Sequence, residues 1–115
     1  MQQIILTIVQ VNEINLDSET LELESYNKVM LDYAAKSSLT MGGFVAPPVL
    51  LSKGTEINRS YDILSGHFQC AAAQIAQKID PVKGKTVPAI VIHEDDQYLK
   101  MFCLQLEDIN FYVVR

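Results

Sequence analysis

The stretch YDILSGHFQCAAAQIA, from Tyr61 to Ala76, decides the fold. It reads as a strand that enters a helix through Ser65-Gly66. Phe68, Ala71, Ala72, Ile75, Ala76 and Ile79 then recur at helical spacing on one face, and the helix must end before Pro81. The start of a helix presents unpaired N–H groups and the positive end of the backbone dipole. Ser65, Gly66 and His67 therefore stand where an anion can be held, and equally where a serine caps a helix with no ligand. No arginine or lysine lies in the turn.

Outward from this turn the chain alternates strands and helices. Upstream, VLL (49–51) and YDIL (61–64) predict neighbouring antiparallel strands joined by the polar loop KGTEINRS. Downstream, VKGK is a turn, and TVPAIVI predicts a strand whose Pro88 favours its start or a sheet edge. Near the N-terminus, Ile4, Ile5, Leu6, Ile8, Val9 and Val11 form a β-branched run too continuous for a half-exposed strand, so a largely buried strand over 3–11 is expected. NLDSETLELESYNKVMLDYAAKSS follows as an amphipathic helix. Asp17 and Ser18 are its candidate caps, and Tyr26, Val29, Met30, Tyr33 and Ala34 its core stripe. Gly42-Gly43 ends that helix, as a plain terminator or as a loop closing over the central turn. The tail QYLKMFCLQLEDINFYVVR fits both periods; a short helix followed by an extended end is the favoured reading.

Composition narrows the classes. A chain of 115 residues, 49% hydrophobic and 20% charged, with five glycines and four prolines, is a single domain, 1–115, with one core. Fourteen acidic residues against nine scattered basic ones give a net charge of −5, which argues against autonomous binding of DNA because no basic patch can neutralise its phosphates. Cys70 and Cys103 lack metal-site or redox-pair spacing and suit free thiols in a reducing cytoplasm. Cys70 sits one step off the apolar face; a small space-filling residue is its default reading, and partial exposure the alternative. The N-terminus has no basic n-region and no apolar run near the ~20 residues of a membrane span, so the chain reads as cytoplasmic, with no membrane partner. His93 with Glu94, Asp95 and Asp96 reads as a charged turn; the spacing specifies no metal site.

The order VAPPVLL, YDILSGHFQCAAAQIA, TVPAIVI resembles the N-terminal domain of ParB-type partition proteins and the related sulfiredoxin fold, over about Val11 to Asp96. There a P-[IL]-x-V strand precedes a Y-x-[IL]-x-x-G-x-x-R-x-x-A strand, turn and helix, and then a [IV]-P-[AV]-x-[IV] strand. The resemblance implies a compact α/β (α+β) domain, a small mixed sheet packed by helices. It also implies a nucleotide, CTP or ATP with magnesium, as ligand. The ParB-type turn reads G-E-R-R-x-R-A, with arginines on the nucleotide phosphates. Here the run is Gly66-His67-Phe68-Gln69-Cys70-Ala71-Ala72, and only Gly66 and Ala72 match. The sulfiredoxin pattern G-G-C-H-R would put His67 at the nucleophilic cysteine and Gln69 at the arginine, which rejects peroxiredoxin repair.

The resemblance thus implies a non-catalytic or weakened nucleotide- or anion-binding module with a degenerate phosphate motif. Such a module acts through protein partners in plasmid or chromosome maintenance or regulation. The chain stops soon after the fold is complete, so the helix-turn-helix of partition proteins is not expected. Two alternatives stand beside this reading: a ParB-like nucleotide hydrolase or nuclease, and a purely structural or protein-interaction domain. Candidate ligand residues are Ser65, Gly66, His67 and Gln69, with no catalytic and no metal-ligating residue assigned. Phe68→Ala is expected to cost about 3–5 kcal/mol if the ring is fully buried. Gly66→Val is expected to crowd the turn while leaving the core largely intact.

Overall fold

The computed structural model describes residues 6–26 and 28–93, apart from the side chains of residues 24–26. Four strands and three helices follow in the order β1 (Leu6–Gln10), α1 (Ser18–Tyr26), α2 (Lys28–Met41), β2 (Val49–Lys53), β3 (Ser60–Ser65), α3 (His67–Ile79) and β4 (Thr86–His93). The sheet order is β1-β4-β2-β3. β2 pairs with β3 antiparallel and with β4 parallel, and β1 pairs with β4 antiparallel, so the sheet is mixed. The α/β architecture and the antiparallel pair on either side of KGTEINRS agree with the sequence reading. The expected tail helix, Cys103 and residues 94–96 lie outside the described residues.

α3 is the centre of the domain. Towards the sheet, Cys70 and Ala73 join Val9, Leu50, Tyr61, Val87 and Ala89 in one buried cluster. Towards α2, Ala71 and Ala72 meet Leu31, with Phe68 and Ile75 partly buried around them. Alanine on both sides lets sheet and helix approach α3 closely, and alanine is also the best helix former. At its far end Asp80 stops the helix: its N–H bonds to the Ala76 carbonyl, and its Oδ1 accepts the N–H groups of Val82 and Lys83.

Three expectations about burial need correction. β1 is an edge strand rather than a buried one: Val9 enters the core, while Leu6 and Ile8 alternate with it and stay exposed. A continuous apolar run did not distinguish two-sided burial from an apolar edge. The face of α2 is also different. Leu31, Ala35 and Ser38 are buried, whereas Val29 (82%), Met30 and Tyr33 (75%) are exposed. The close approach to Ala71 and Ala72 selects small residues, and the Ser38 hydroxyl is satisfied by donating to the Ala35 carbonyl. Ile79 of the expected helix face is exposed, whereas Cys70 is fully buried against the sheet, in keeping with its space-filling reading.

Pro88 lies in an interior strand, neither at its first residue nor at a sheet edge. The Ile90 N–H donates to the Pro48 carbonyl at 2.9 Å, so two residues earlier the nitrogen of Pro88 points the same way, beyond the paired length of β2. The missing N–H therefore costs no ladder bond.

Candidate functional site

The chain reaches the central turn through an irregularity. β2 and β3 are in register from Leu50↔Ile63 to Lys53↔Ser60, then shift so that Val49 faces Ser65, leaving Leu64 as the extra residue. Such a bulge bends a strand and redirects its end. Ser65 closes β3, and Gly66 follows in the left-handed region at φ 88°, as the residue that opens α3. Its N-cap position makes no side-chain hydrogen bond, so the serine cap anticipated at Ser65 is replaced by a glycine turn. Only glycine fits there. A Cβ on Gly66 would stand 2.8 Å from the Cα of Pro48, against backbone. The expectation that Gly66→Val leaves the core intact is therefore corrected, because Pro48 is buried and leads directly into β2.

The His67 ring does not face open solvent. Its Nε2 lies 2.9 Å from Asp17 Oδ2 and 3.5 Å from Glu19 Oε2. Asp17 caps α1 as the sequence suggests: Oδ1 accepts the Thr20 N–H at 2.9 Å and the buried Thr20 hydroxyl at 2.8 Å. Desolvation works to raise the Asp17 pKa, but these two bonds and the His67 ring together hold it below its ordinary value. One carboxylate thus caps α1 and clasps the first residue of α3. Sequence reasoning missed Glu19 and the clasp, since the partners are 50 residues apart and each reads locally as a helix-start residue.

Gln69 is the third element. Its Nε2 donates to the Ala46 carbonyl at 2.9 Å, fastening the loop before β2 over the start of α3. The loop across the turn is therefore Ala46–Pro48. Gly42 and Gly43 instead end α2, both N–H groups donating to the Ser38 carbonyl, and Gly43 packs toward Pro88. Cys70 lies one turn into the helix, where burial, aided by the Asp17 charge, pushes its thiol up to about 12. A thiol so protonated is no nucleophile.

The four candidate residues Ser65, Gly66, His67 and Gln69 lie together at this turn, but two side chains, those of His67 and Gln69, are engaged within the fold. An anion approaching the α3 N-terminus would meet the helix dipole and also two carboxylates. Among the described residues no group of three histidine, cysteine or acidic side chains could hold a metal ion. Asp17 has both oxygens engaged, Oδ1 with Thr20 and Oδ2 with His67. No described helix is long and apolar enough to cross a membrane.

No protein-family model matches the chain, and no curated protein matches it. Among solved structures it is similar to the C-terminally truncated chromosome-partitioning protein ParB from Caulobacter crescentus complexed with CTP-gamma-S. The TM-score is 0.57 at 18% identity, over 91% of this chain and 53% of that one. The chain thus spans about half the length of the ParB structure it matches. The fold is ParB-like.

Proposed function

We infer that residues 1–115 form one ParB-type module that holds a nucleotide or another anion weakly, without catalysis. It acts through protein partners in plasmid or chromosome maintenance or its regulation. The ParB-like fold supports the module, and the CTP-gamma-S bound by the similar ParB supports a nucleotide as ligand class. Motif order supports the wider kinship with sulfiredoxins and the degeneration of the phosphate turn. The observation that carries the reading is the 2.9 Å contact of His67 Nε2 with Asp17 Oδ2. It sets a carboxylate beside the α3 N-terminus, where Gly66 is left-handed, which supports a phosphate-type turn with weakened affinity. Nucleotide binding in this arrangement is weak, and a magnesium ion would arrive with the phosphates.

A purely structural or interaction role is the second reading. It is favoured by the Gln69 bond to Ala46: the position that carries an arginine in the family motif here fastens a loop. A nucleotide hydrolase or nuclease has less support, since His67 is engaged by two carboxylates and Cys70 is a buried, protonated thiol.

Calorimetry with CTP and ATP in magnesium tests the inference. The wild type should bind in the millimolar range, and Asp17→Asn combined with Glu19→Gln should tighten binding at least about tenfold by removing two opposing charges. Gln69→Arg should add about 1.5–3 kcal/mol, the worth of a hydrogen bond to a charged group. If folded variants bind no better than the wild type, the turn is a helix cap and the second reading stands.

A further inference from the structure

The sheet has a second apolar face. Leu50, Val87 and Ala89 point towards α3 and lie in its buried cluster, and α1 and α2 both pack against α3. Side chains alternate along a strand, so Val49 and Leu51 of β2, Ile90 and Ile92 of β4, and Leu6 and Ile8 of β1 share the opposite face. The pairing of Ile90 with both Val49 and Leu6, and of Ile92 with Leu51, aligns them across it.

Exposure on this face is graded. Leu6 (54%) and Ile8 (63%) on the edge strand are open, whereas Val49 is 7% and Ile92 2% exposed. Neither Val49 nor Ile92 joins the two core clusters around α3. Neighbours within a sheet shield a side chain only from the sides, so near-complete burial of Ile92 requires atoms stacked above it, as where a second layer packs on a sheet.

The place of the cover indicates its source. Burial is deepest at Ile92, one residue before β4 ends at His93, and residues 94–115 leave the sheet from that point. Residues 1–5 instead lead into Leu6, on the open part of the face. Adjacent strands stand only ~4.8 Å apart, so a reversal through the charged Glu94-Asp95-Asp96 is enough to bring the chain back over β4 and β2. Beyond it, Tyr98, Phe102 and Leu106 follow at intervals of four. Residues so spaced share a face in a strand and fall within ~80° of one another on a helix, so they present one apolar side in either conformation.

We propose that residues 94–115 fold back over the face of the sheet opposite α3, seating Tyr98, Phe102 and Leu106 against Ile92 and Val49 as a second layer. The surface is separate from the α3 turn and does not depend on the ligand reading.

Thiol labelling of the full chain in a Cys103→Ser background reads this cover, with Ile92→Cys as reporter and Ile8→Cys as the open reference. Ile92→Cys should label at least about 100-fold more slowly than Ile8→Cys, and equally slowly across micromolar concentrations. Adding Tyr98→Asp, Phe102→Asp and Leu106→Asp should raise the Ile92→Cys rate at least about tenfold while Cys70, buried on the α3 side, stays unlabelled. If the substituted tail also exposes Cys70, the wild type decides: nuclear Overhauser contacts should join the Ile92 methyls to the Tyr98 and Phe102 rings, within one chain in an isotope-filtered mixture. Equal labelling of the two reporters, protection that survives the substituted tail, or the absence of those contacts overturns the proposal. Protection that fades on dilution also overturns it, and assigns the cover to a second copy.

Discussion

Two glycines with nearly the same backbone conformation give a controlled test of the turn. Gly66 has φ 88° and Gly42 has φ 82°, both in the left-handed region. An alanine at either site incurs the left-handed penalty of roughly 1–2 kcal/mol. Their surroundings differ. A Cβ at Gly42 meets nothing within 4 Å, whereas one at Gly66 meets Pro48 Cα at 2.8 Å and Pro48 Cβ at 3.0 Å. Pro48 cannot yield cheaply, because its carbonyl accepts the Ile90 N–H that begins the pairing of β2 with β4. Overpacking of this kind adds about 1–3 kcal/mol. Gly66→Ala should therefore cost about 2–5 kcal/mol and Gly42→Ala about 1–2 kcal/mol, combining the two terms at the first site and taking one at the second. Urea unfolding of both variants measures the difference at constant m-value. Equal losses would refute the close approach of Pro48 to the turn and, with it, the account of why glycine is required there.

Other expectations follow from burial and charge. Leu31→Ala removes a fully buried side chain and should cost about 2–5 kcal/mol. Phe68→Ala removes a partly buried ring and should cost less, about 1.5–2.5 kcal/mol, with the order of the two read from denaturant midpoints. In a Cys103→Ser background, Cys70 should react with iodoacetamide only as fast as the chain opens, so labelling in native buffer at a free-thiol rate would contradict its burial and its pKa of about 12. Asp17 has a folded pKa below its unfolded value, so the unfolded chain binds the proton more readily. Its contribution is complete above the unfolded value and is lost as pH falls through the folded one. Thermal melts below about pH 4 should therefore show a smaller acid-dependent loss for Asp17→Asn than for the wild type.

The parts of the fold that the sequence displayed were those fixed by local chemistry. Gly66 between a strand and an alanine-rich helix signals a turn, Asp80-Pro81 ends that helix, and Asp17 three residues before Thr20 is a cap. The face of α2 was hidden because hydrophobicity and burial diverge there. Val29, Met30 and Tyr33 are the more apolar set, but Ala35 and Ser38 are small enough to meet the alanines of α3. The positions of the candidate residues at the head of α3 were legible, since they fall within one five-residue stretch. Their engagement was not, because Asp17, Glu19 and Ala46 reach them from 23 to 50 residues away.

These same contacts determine which part of the site can give way. α3 is fixed on one side by the sheet and on the other by α2, so its N-terminus cannot shift without disturbing both buried clusters. The Ala46 to Pro48 loop is tied at both ends, through Gln69 and through the Pro48 bond to Ile90. The contacts of the two carboxylates with His67 are held less firmly, although Asp17 itself stays anchored to Thr20. Asp17 and Glu19 are exposed, and ion pairs in that setting are worth about 0–1 kcal/mol. A triphosphate binding at millimolar strength has about 4 kcal/mol available, enough to displace such a contact while leaving α3 in place. The His67 contacts with Asp17 and Glu19 are therefore the weakest ties around the turn. On the reading proposed above, the charge of these carboxylates, rather than the shape of the backbone around Gly66, is expected to limit the affinity for a nucleotide, which the Asp17→Asn with Glu19→Gln titration measures.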